Sequence, residues 1–403
     1  MVKFGCPIFQ RLGDSLMNKK LLAVAVAGAL SAPVVALAQS SVTISGNIKM
    51  SLQQYKISNA SAARAGTNTS QSLIHDDSSR IIFNMTEDLG GGLQAIAQID
   101  WRVVPDSHVS AAGVPQDNVG GNNHVGLRSK AWGRIFFGRQ DVHYFGRESD
   151  LTVKNDLQSD SISLLAFVAG AGVANGGIPI AGATRTSNIV HYTTPNWGGF
   201  TGVIAYSFNP TLPEADIGST VRKGYAWHLA PTYEGRNFTV GYSYWNQKAD
   251  GTLAFANQRG DRLFGSYRWG GFKIGAAWDK SKVTNEGGVV NAVTGSTTAA
   301  RRDAWSIPIE YTWGPHWIGG HYTKANNDKA TAVQDGAKMW ALGYNYSLSK
   351  RTSVGVTYAQ ISNDTGATYT PFTGNGSLGG GAAHTALAGE DPRFWSMTIR
   401  HAF

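Results

Sequence analysis

Basic side chains recur along this sequence in stretches where apolar and polar residues alternate, and they occupy the polar positions. Acids at comparable positions are fewer, namely Asp100, Asp279 and Glu310. A face lined mainly by arginine and lysine lowers the energy of anions, most strongly where low-dielectric walls focus the field. The chemistry indicated is attraction of small anions by Lys49, Arg102, Arg128, Arg262, Arg268, Lys273 and Arg400.

Patterns typical of catalysis or metal binding are not found. The ten histidines are scattered singly, without a readable Ser or Asp partner and without the spacing of a metal-ligand pair. The three glycines at 90–92 indicate a turn between two strands rather than a phosphate-binding loop. An enzyme is therefore disfavoured, and neither a metal nor a cofactor is expected.

An export signal is predicted near the start of the chain. Met17 and two lysines precede an apolar run that ends in Ala-Leu-Ala at 36–38, the pattern of a signal-peptidase site. We expect residues 1–38, an upstream extension plus the signal peptide, to be removed, which leaves 39–403 as a single domain. The only cysteine, Cys6, lies in the removed part, and the formal net charge of the mature chain is +5. Export favours anionic lipid or small anions as partners over nucleic acid.

The stretch VTISGNIKMSLQ at 42–53 shows the alternation most clearly. Apolar residues fill its even positions, with one glycine among them, and polar residues fill its odd positions. Because successive side chains of a strand point to opposite faces, this pattern predicts a strand with one apolar and one polar face. The stretch FWSMTIRHAF at 394–403 alternates in the same way.

The alternating stretches predict sixteen strands whose connections are short and long in turn. Short connections such as DLGGG at 88–92 alternate with long ones rich in small and polar residues, of which 142–186 is the longest. The predicted strands are 42–54, 79–87, 93–102, 123–129, 134–141, 187–194, 199–208, 222–233, 236–246, 259–268, 272–280, 301–312, 316–324, 337–346, 352–361 and 393–403.

An even number of antiparallel strands with tight turns on one side and long loops on the other is typical of an outer-membrane barrel. Strands of about ten residues match the length that a tilted strand needs to cross a bilayer. We therefore expect an all-β fold, a 16-stranded antiparallel transmembrane β-barrel with short periplasmic turns and long extracellular loops. A soluble β-sandwich is disfavoured, since its turns would have comparable lengths at both ends and its core would be aliphatic.

Several stretches resemble the trimeric general porins of Gram-negative outer membranes, of the kind common in beta-proteobacteria. They span the mature chain in the family's order: SSVTISGNIK (40–49), SSRIIFNMTEDLGGGLQAIAQID (78–100), HVGLRSKAWGRIFFGRQD (124–141), SNIVHYTTPNWGGF (187–200), YSLSKRTSV (346–354) and IRHAF (399–403). The resemblance implies a water-filled channel for passive diffusion of small hydrophilic solutes and ions. It also implies that the third long loop, 142–186, folds into the pore and narrows it.

The resemblance assigns roles to particular arginines. Arg80, Arg139 and Arg185 match the family's basic cluster on the pore wall. The alternation of apolar and polar residues supports an inward position for Arg80. It does not decide which face Arg139 occupies, and it is a weak guide for Arg185. Further basic candidates for the lumen are Lys49, Arg102 and Arg128.

The resemblance also implies partners. Phe403, on an alternating last strand, matches the signal read by the barrel-assembly machinery. A homotrimer embedded in outer-membrane lipid and lipopolysaccharide is implied as well, with the second loop, 103–122, as a candidate latch onto a neighbour. Small anionic or polar solutes are the expected cargo, and we expect anion preference.

The third loop departs from the familiar porin pattern. Glu148 and Asp150 are its candidate acids opposite the arginines, but residues 161–184 carry no charge at all. One interpretation is a partly apolar constriction in a substrate-specific channel for small aromatic carboxylates. The other, which we favour, is that Leu164, Leu165 and Phe167 pack the loop against the barrel wall.

Overall fold

The computed structural model describes residues 40–106, 119–144, 162–165, 167–168, 178–179, 184–210, 224–248, 257–284, 298–329, 333–371 and 386–403. Within these ranges, no helix is long and apolar enough to cross a membrane. The predicted signal peptide and the middle of the second loop lie outside the described residues.

The described residues form β-strands joined by turns and loops, with one 3-10 turn (Ala62–Arg64) and one short helix, α1 (Ile162–Leu165). The strands are β1 (Ser41–Ser58), β2 (Ser70–Asp76), β3 (Arg80–Gly90), β4 (Leu93–Arg102), β5 (Asn123–Ser129), β6 (Gly133–Asp141), β7 (Phe167–Val168), β8 (Ile178–Pro179), β9 (Arg185–Thr193), β10 (Phe200–Ser207), β11 (Tyr225–Glu234), β12 (Phe238–Lys248), β13 (Asn257–Trp269), β14 (Phe272–Thr284), β15 (Thr298–Trp313), β16 (His316–Ala325), β17 (Ala337–Ser347), β18 (Thr352–Asn363) and β19 (Asp391–Ala402).

All strands except β7 and β8 belong to one closed antiparallel sheet. Strands β2 and β3 both pair with β1 and form one wall-spanning strand with a step at 77–79, so the wall has sixteen strands. Strands β1 and β19 close the sheet, with Asn47 opposite Ala402 and Ser58 opposite Asp391. Closure leaves no free edge, which hydrocarbon would not tolerate. The predicted 16-stranded barrel is confirmed.

The two faces of the wall differ as the alternation predicts. On β19, Trp395, Met397 and Ile399 are more than half exposed, whereas Ser396 and Thr398 between them are buried. The exposed apolar side chains belong to an outer band and the polar ones point to the interior. The apolar face of each strand therefore meets lipid.

The short turns depend on glycine where the chain reverses most sharply. Gly270, between β13 and β14, has φ +56°, and Gly314, between β15 and β16, has φ +52°. A Cβ atom at either position would contact nothing, so the requirement is conformational rather than steric. Glycine enters the left-handed region at no cost, which other residues do not.

The wall on the long-loop side is taller than the sequence predicts. Alternation indicates a loop over 55–78, but β1 continues to Ser58 and β2 pairs against it. The pattern is broken at Ser78, which has φ +72°, so the alternation of β2 does not run through into β3. Strand β14 likewise extends to Thr284, beyond the predicted end at 280.

The third loop places its described helix on the inner side of the barrel wall, and narrowing of the pore by this loop stays a prediction. Its helix α1 contacts β15, β16 and β17, which lie across the barrel from β6 and β9, the strands that the loop connects. Leu164 and Leu165 are fully buried there. Of the two interpretations of this loop, packing against the wall is the one observed for these leucines. The side chain of Phe167 lies outside the described part.

Candidate functional site

Arginines from the strands β3, β4, β6 and β9 gather on one side of the barrel interior, where only β5 lies between β4 and β6. Arg80 begins β3 and faces Arg102 on β4. The Oδ2 atom of Asp100, a fully buried residue, lies 3.7 Å from Arg80 Nη1 and 3.0 Å from Arg102 Nη2. One carboxylate thus serves two guanidiniums, and the side chain of Arg80 keeps 29% of its surface exposed. This pair of strands therefore presents net positive charge to the lumen.

A second pair continues the same patch on β6 and β9. Arg185 and Asp141 are directly opposite, and Arg185 Nε lies 2.8 Å from Asp141 Oδ1. Arg80 and Arg102 both interact electrostatically with Arg185 and Asp141. The two pairs are therefore parts of one group. We call Arg80, Arg102, Arg139, Arg185, Asp100 and Asp141 the arginine cluster.

Arg139 joins the arginine cluster through its electrostatic interactions with Arg185 and Asp141. It makes no ion pair with any residue that the structure describes. Arg139 follows Phe137 by two residues, and strict alternation would place both on the outer face, where Phe137 is exposed. The strand register shifts between Gly138 and Gln140, however, so the alternation is broken before Arg139. The structure thus brings the three family-matched arginines together, and a pore-lining role for each of them stays a prediction.

The step between β2 and β3 positions the guanidiniums. Asp76 accepts hydrogen bonds from the backbone N–H groups of Ser78, at 3.0 Å, and Ser79, at 3.1 Å. The Oγ atom of Ser78 then accepts from Arg102 Nη1 at 2.7 Å and from Arg80 Nη2 at 3.1 Å. A buried carboxylate accepting two backbone N–H groups fixes a tight turn. The turn in turn fixes Ser78, whose Oγ atom orients both arginines.

Lys49 lies directly beside this step on β1. Its backbone N–H donates to Ser79 Oγ at 2.9 Å, and its side chain is buried and interacts electrostatically with Asp77. The structure places Lys49 on the inner wall next to the arginine cluster. Its predicted role as a lumen-lining cation is not settled by this position.

The described end of the second loop folds over the arginine cluster. Arg185 Nη1 donates to Gly120 O at 3.2 Å, and Asn122 Nδ2 donates to Asp141 Oδ2 at 2.7 Å. A Cβ atom on Gly121 would lie 2.0 Å from Asp100 Cγ, so only glycine fits there. These residues brace the cluster. Residues 107–118, which contain most of the candidate latch, lie outside the described part.

The remaining sequence candidates lie elsewhere. Arg128 is exposed near the short turn at 129–133, where Gln94 Oε1 accepts hydrogen bonds from its Nε at 3.0 Å and its Nη2 at 2.8 Å. It is not part of the arginine cluster. Glu148 and Asp150 lie outside the described residues. Phe403 closes the barrel, since its N–H and C=O pair with Gly46 O and N at 3.1 Å each.

Across the interior, the wall holds the start of the third loop. Tyr144 donates to Asp279 Oδ1 at 3.2 Å, and Arg262 Nε donates to Asp279 Oδ2 at 3.3 Å. The Arg262 guanidinium also lies 4.6 Å from the centre of the Tyr144 ring, a cation–π contact. All of these groups are buried. Asp279 is therefore occupied by the loop and by Arg262 rather than open to solutes.

Arg302 on β15 holds the loop further along. Its Nη2 donates to Leu165 O at 2.7 Å and its Nη1 donates to Leu164 O and, at 2.9 Å, to Tyr369 OH in the last loop. Carbonyls at the end of a helix have no partner within it, and a cation is a favourable one. We call the wall residues Arg262, Asp279 and Arg302 the loop anchor.

Sequence reasoning named Asp100 as an inward acid. It did not name Asp141, the other acid that pairs with an arginine on this wall, or Asp76, which fixes the turn before β3. Asp141 ends the quoted stretch HVGLRSKAWGRIFFGRQD, and Asp76 begins the run Asp-Asp-Ser-Ser at 76–79. The second signal was available, because an aspartate before two serines is typical of a tight turn. The third-loop partner of Asp279, Tyr144, lies 135 residues away in sequence, and those of Arg302 lie 137 and 138 residues away, so no local pattern reports these contacts.

Acidification should loosen the third loop. Burial first, then the charges of Arg262 and His228, hold the pKa of His143 well below its ordinary value. An undocked histidine titrates near pH 6.5, so below that pH only the undocked loop takes up a proton. Docking is therefore favoured fully above pH 6.5 and weakened by up to about 1.4 kcal/mol for each pH unit below it.

Single-channel recordings from pH 7.5 to pH 5 would measure this effect as an increase in transient closures. His143→Gln is the matched control, since an amide keeps a hydrogen bond to Ser243, whose Oγ lies 2.8 Å from His143 Nδ1, without titrating. The variant should lose most of the pH dependence. Equal pH dependence in both proteins would show that other groups are responsible.

The arrangement of charged side chains inside the barrel is suited to passing solutes. In the described part of the chain, no group of three or more His, Cys, Asp or Glu side chains is placed to hold a metal ion. Basic side chains on one wall face a loop anchored to the other. A barrel of sixteen strands leaves an aqueous lumen, so this geometry is that of a water-filled channel with a basic patch on one wall.

Comparison with known proteins agrees with this geometry. A family model described as Gram-negative porin matches residues 22–392. Outer membrane porin protein 32 of Delftia acidovorans is 28% identical over 399 residues, covering 96% of this chain and 100% of that protein. An outer membrane porin protein of Bordetella pertussis is 28% identical over 386 residues, covering 84% and 92%.

Solved structures show the same fold. The anion-selective porin from Comamonas acidovorans superposes with a TM-score of 0.69 at 22% identity, covering 91% of this chain and 100% of that one. OmpT of Vibrio cholerae, in trimer form, gives a TM-score of 0.61 at 14% identity, covering 90% and 99%. The chain belongs to the Gram-negative porins, and it is an integral channel protein of the outer membrane.

Proposed function

We propose that the channel prefers small anions. The observation that carries this is the arginine cluster, in which four guanidiniums outnumber two carboxylates on one wall. On the opposite wall, Asp279 is buried in the loop anchor, and Glu310 accepts a hydrogen bond from Trp317 Nε1 at 3.0 Å. The Comamonas acidovorans porin that shares this fold is anion-selective, which supports the same proposal.

The reversal potential of the purified protein in a planar bilayer, under a KCl gradient, tests this proposal. A sign favouring chloride is expected. A sign favouring potassium would mean that acids outside the described residues, such as Glu148 or Asp150, control the bore. Absence of any conductance would contradict the channel itself.

We infer that diffusion through the pore is the whole activity, without catalysis. A dedicated channel for aromatic carboxylates has less support, because Leu164 and Leu165 face the wall rather than the lumen. Saturable block of the conductance by benzoate would favour the dedicated channel. A conductance that stays linear in benzoate concentration would favour general diffusion.

The proposal extends to processing and assembly. It takes 39–403 as the mature chain, the homotrimer as the functional unit, and outer-membrane lipid, lipopolysaccharide and the barrel-assembly machinery as partners. Mass spectrometry of the outer-membrane form would test cleavage after Ala38. Cross-linking in membranes would test the trimer.

Phe403→Ala should lower the amount of folded protein in the outer membrane sharply while leaving the folded barrel intact. The side chain is the expected recognition element, whereas barrel closure uses the backbone of Phe403 against Gly46. Quantitative blotting of outer membranes would measure the first effect, and melting of refolded protein the second. Phe200→Ala, at an equally exposed ring beside a short turn, is the control. Equal loss in both variants would contradict the assignment.

A further inference from the structure

The first and last long loops meet at a single carboxylate. Glu390 ends the last loop, which connects β18 to β19, and its side chain is fully buried. Arg64, in the 3-10 turn of the first loop, donates from Nε to Glu390 Oε1 at 2.8 Å and to Oε2 at 2.7 Å. The backbone N–H groups of Ser61 and Leu387 donate to the same carboxylate at 3.0 Å and 2.8 Å. One side chain thus joins the two loops.

Burial makes this ion pair costly to break. The side chain of Arg64 keeps 11% of its surface exposed, and that of Glu390 keeps none. Removal of the carboxylate would leave a covered guanidinium and two backbone N–H groups without their acceptor, which destabilises a fold more than loss of an exposed pair does. Asn59 adds a further contact, since its Nδ2 donates to Gly389 O at 2.9 Å. We call Asn59, Arg64 and Glu390 the loop clasp.

An asparagine connects the loop clasp to the other described part of the last loop. Asn363, the last residue of β18, donates from Nδ2 to Glu390 O at 2.6 Å and to Tyr369 O at 3.0 Å. Its Oδ1 accepts the backbone N–H of Tyr369 at 3.1 Å. Because one side-chain amide holds both parts of the loop, the position of Tyr369 depends on the segment that contains Glu390.

Tyr369 connects the last loop to the third loop. Its hydroxyl accepts a hydrogen bond from Arg302 Nη1 at 2.9 Å, and Arg302 donates in turn to the carbonyls of Leu164 and Leu165 in α1. The guanidinium is a rigid planar fork, so a partner that holds one of its N–H groups also fixes the direction of the others. Tyr369 therefore helps to aim Arg302 at the third loop.

The described residues of the last loop are packed against the barrel. Ala367 and Tyr369 are buried in the same hydrophobic core as Ile361 of β18 and the leucines of α1. The backbone N–H of Gly366 donates to Gln334 O at 2.7 Å, in the loop between β16 and β17. A close-packed interior transmits a displacement from one side chain to the next. A change at the loop clasp can therefore reach Arg302.

We propose that Glu390 and Tyr369 are positioning residues of the third loop. The last loop, fastened to the first by the loop clasp, holds Arg302 in the orientation that docks α1. Opening of the clasp releases Tyr369, loosens the guanidinium and weakens docking. Separation of the first and last loops at the mouth of the barrel thus favours closure of the pore. This inference concerns gating and holds for either sign of ion selectivity.

Single-channel recording of the purified full chain in a planar bilayer tests the proposal. Glu390→Gln keeps the size of the side chain but loses the charge that pairs with Arg64, and it should close about tenfold more often than the unchanged protein. Tyr369→Phe keeps the buried ring and loses only the hydroxyl, so its closures should be about two- to tenfold more frequent. The matched control is Asp364→Asn, which removes the same charge from an exposed side chain of the same loop. It should be as quiet as the unchanged protein.

Combination with Arg302→Ala distinguishes positioning from a general loosening of the mouth. If both residues act through Arg302, E390Q/R302A and Y369F/R302A should each close no more often than R302A alone. Additive closures would show a separate route, such as entry of the last loop itself into the bore, and would overturn the proposal. So would single variants as quiet as the control. Tyr369→Phe keeps the test valid if Glu390→Gln folds poorly.

The reversal potential of the open channel should be the same in all of these variants, because none of them touches the arginine cluster. Failure of the positioning proposal is therefore distinct from failure of the proposed anion preference.

Discussion

Arg302→Ala should turn a steady open channel into one that closes transiently and often. The guanidinium satisfies the carbonyls of Leu164 and Leu165 and the hydroxyl of Tyr369 in a fully buried place. Its loss leaves buried acceptors without donors, which costs about 2–5 kcal/mol of loop docking. An undocked third loop moves from the wall into the bore.

Single-channel recording at moderate voltage measures this as the frequency of closures and the voltage at which the channel shuts. Arg302→Lys should give an intermediate result, because an ammonium keeps the charge but loses the planar fork that reaches two carbonyls. Arg301→Ala is the control, since the neighbouring arginine points outward. Quiet recordings from Arg302→Ala, or equal closures from Arg301→Ala, would show that the anchor does not hold the loop.

Periodicity in the sequence is sufficient to predict the barrel because lipid and water select opposite faces of every strand. The residues of β19 show why, since Trp395, Met397 and Ile399 alternate with Ser396 and Thr398 down to the last residue. The prediction fails where the backbone departs from the extended form. Ser78, at φ +72°, interrupts the alternation and hides β2 within a predicted loop.

The candidate site was predictable only in part, for a similar reason. Arg80 follows from its place in an alternating strand, and the match to porins adds Arg139 and Arg185. Which charges meet depends on register across strands distant in sequence. The pairing of Arg185 with Asp141 spans the third loop, and that of Tyr144 with Asp279 crosses the barrel. Neither contact leaves a local pattern.

Arg80→Gln should reduce the preference for chloride. The side chain of Arg80 keeps 29% of its surface exposed, and its partner Asp100 also serves Arg102. A unit charge about 5 Å from a permeating ion contributes about 0.8 kcal/mol in water, about a fourfold change in the permeability ratio. Screening by about 0.1 M salt lowers the expected change to about two- to fourfold.

The reversal potential under a KCl gradient reports this ratio directly. Arg128→Gln is the matched control, because it removes the same charge at an exposed place near the short turns, away from the arginine cluster. Its effect should be smaller, since screening separates it from the constriction. A shift from Arg128→Gln as large as that from Arg80→Gln would mean that charge summed over the whole pore sets selectivity. The cluster would then act as a structural brace for the second loop, through its contacts with Gly120 and Asn122, rather than as the filter.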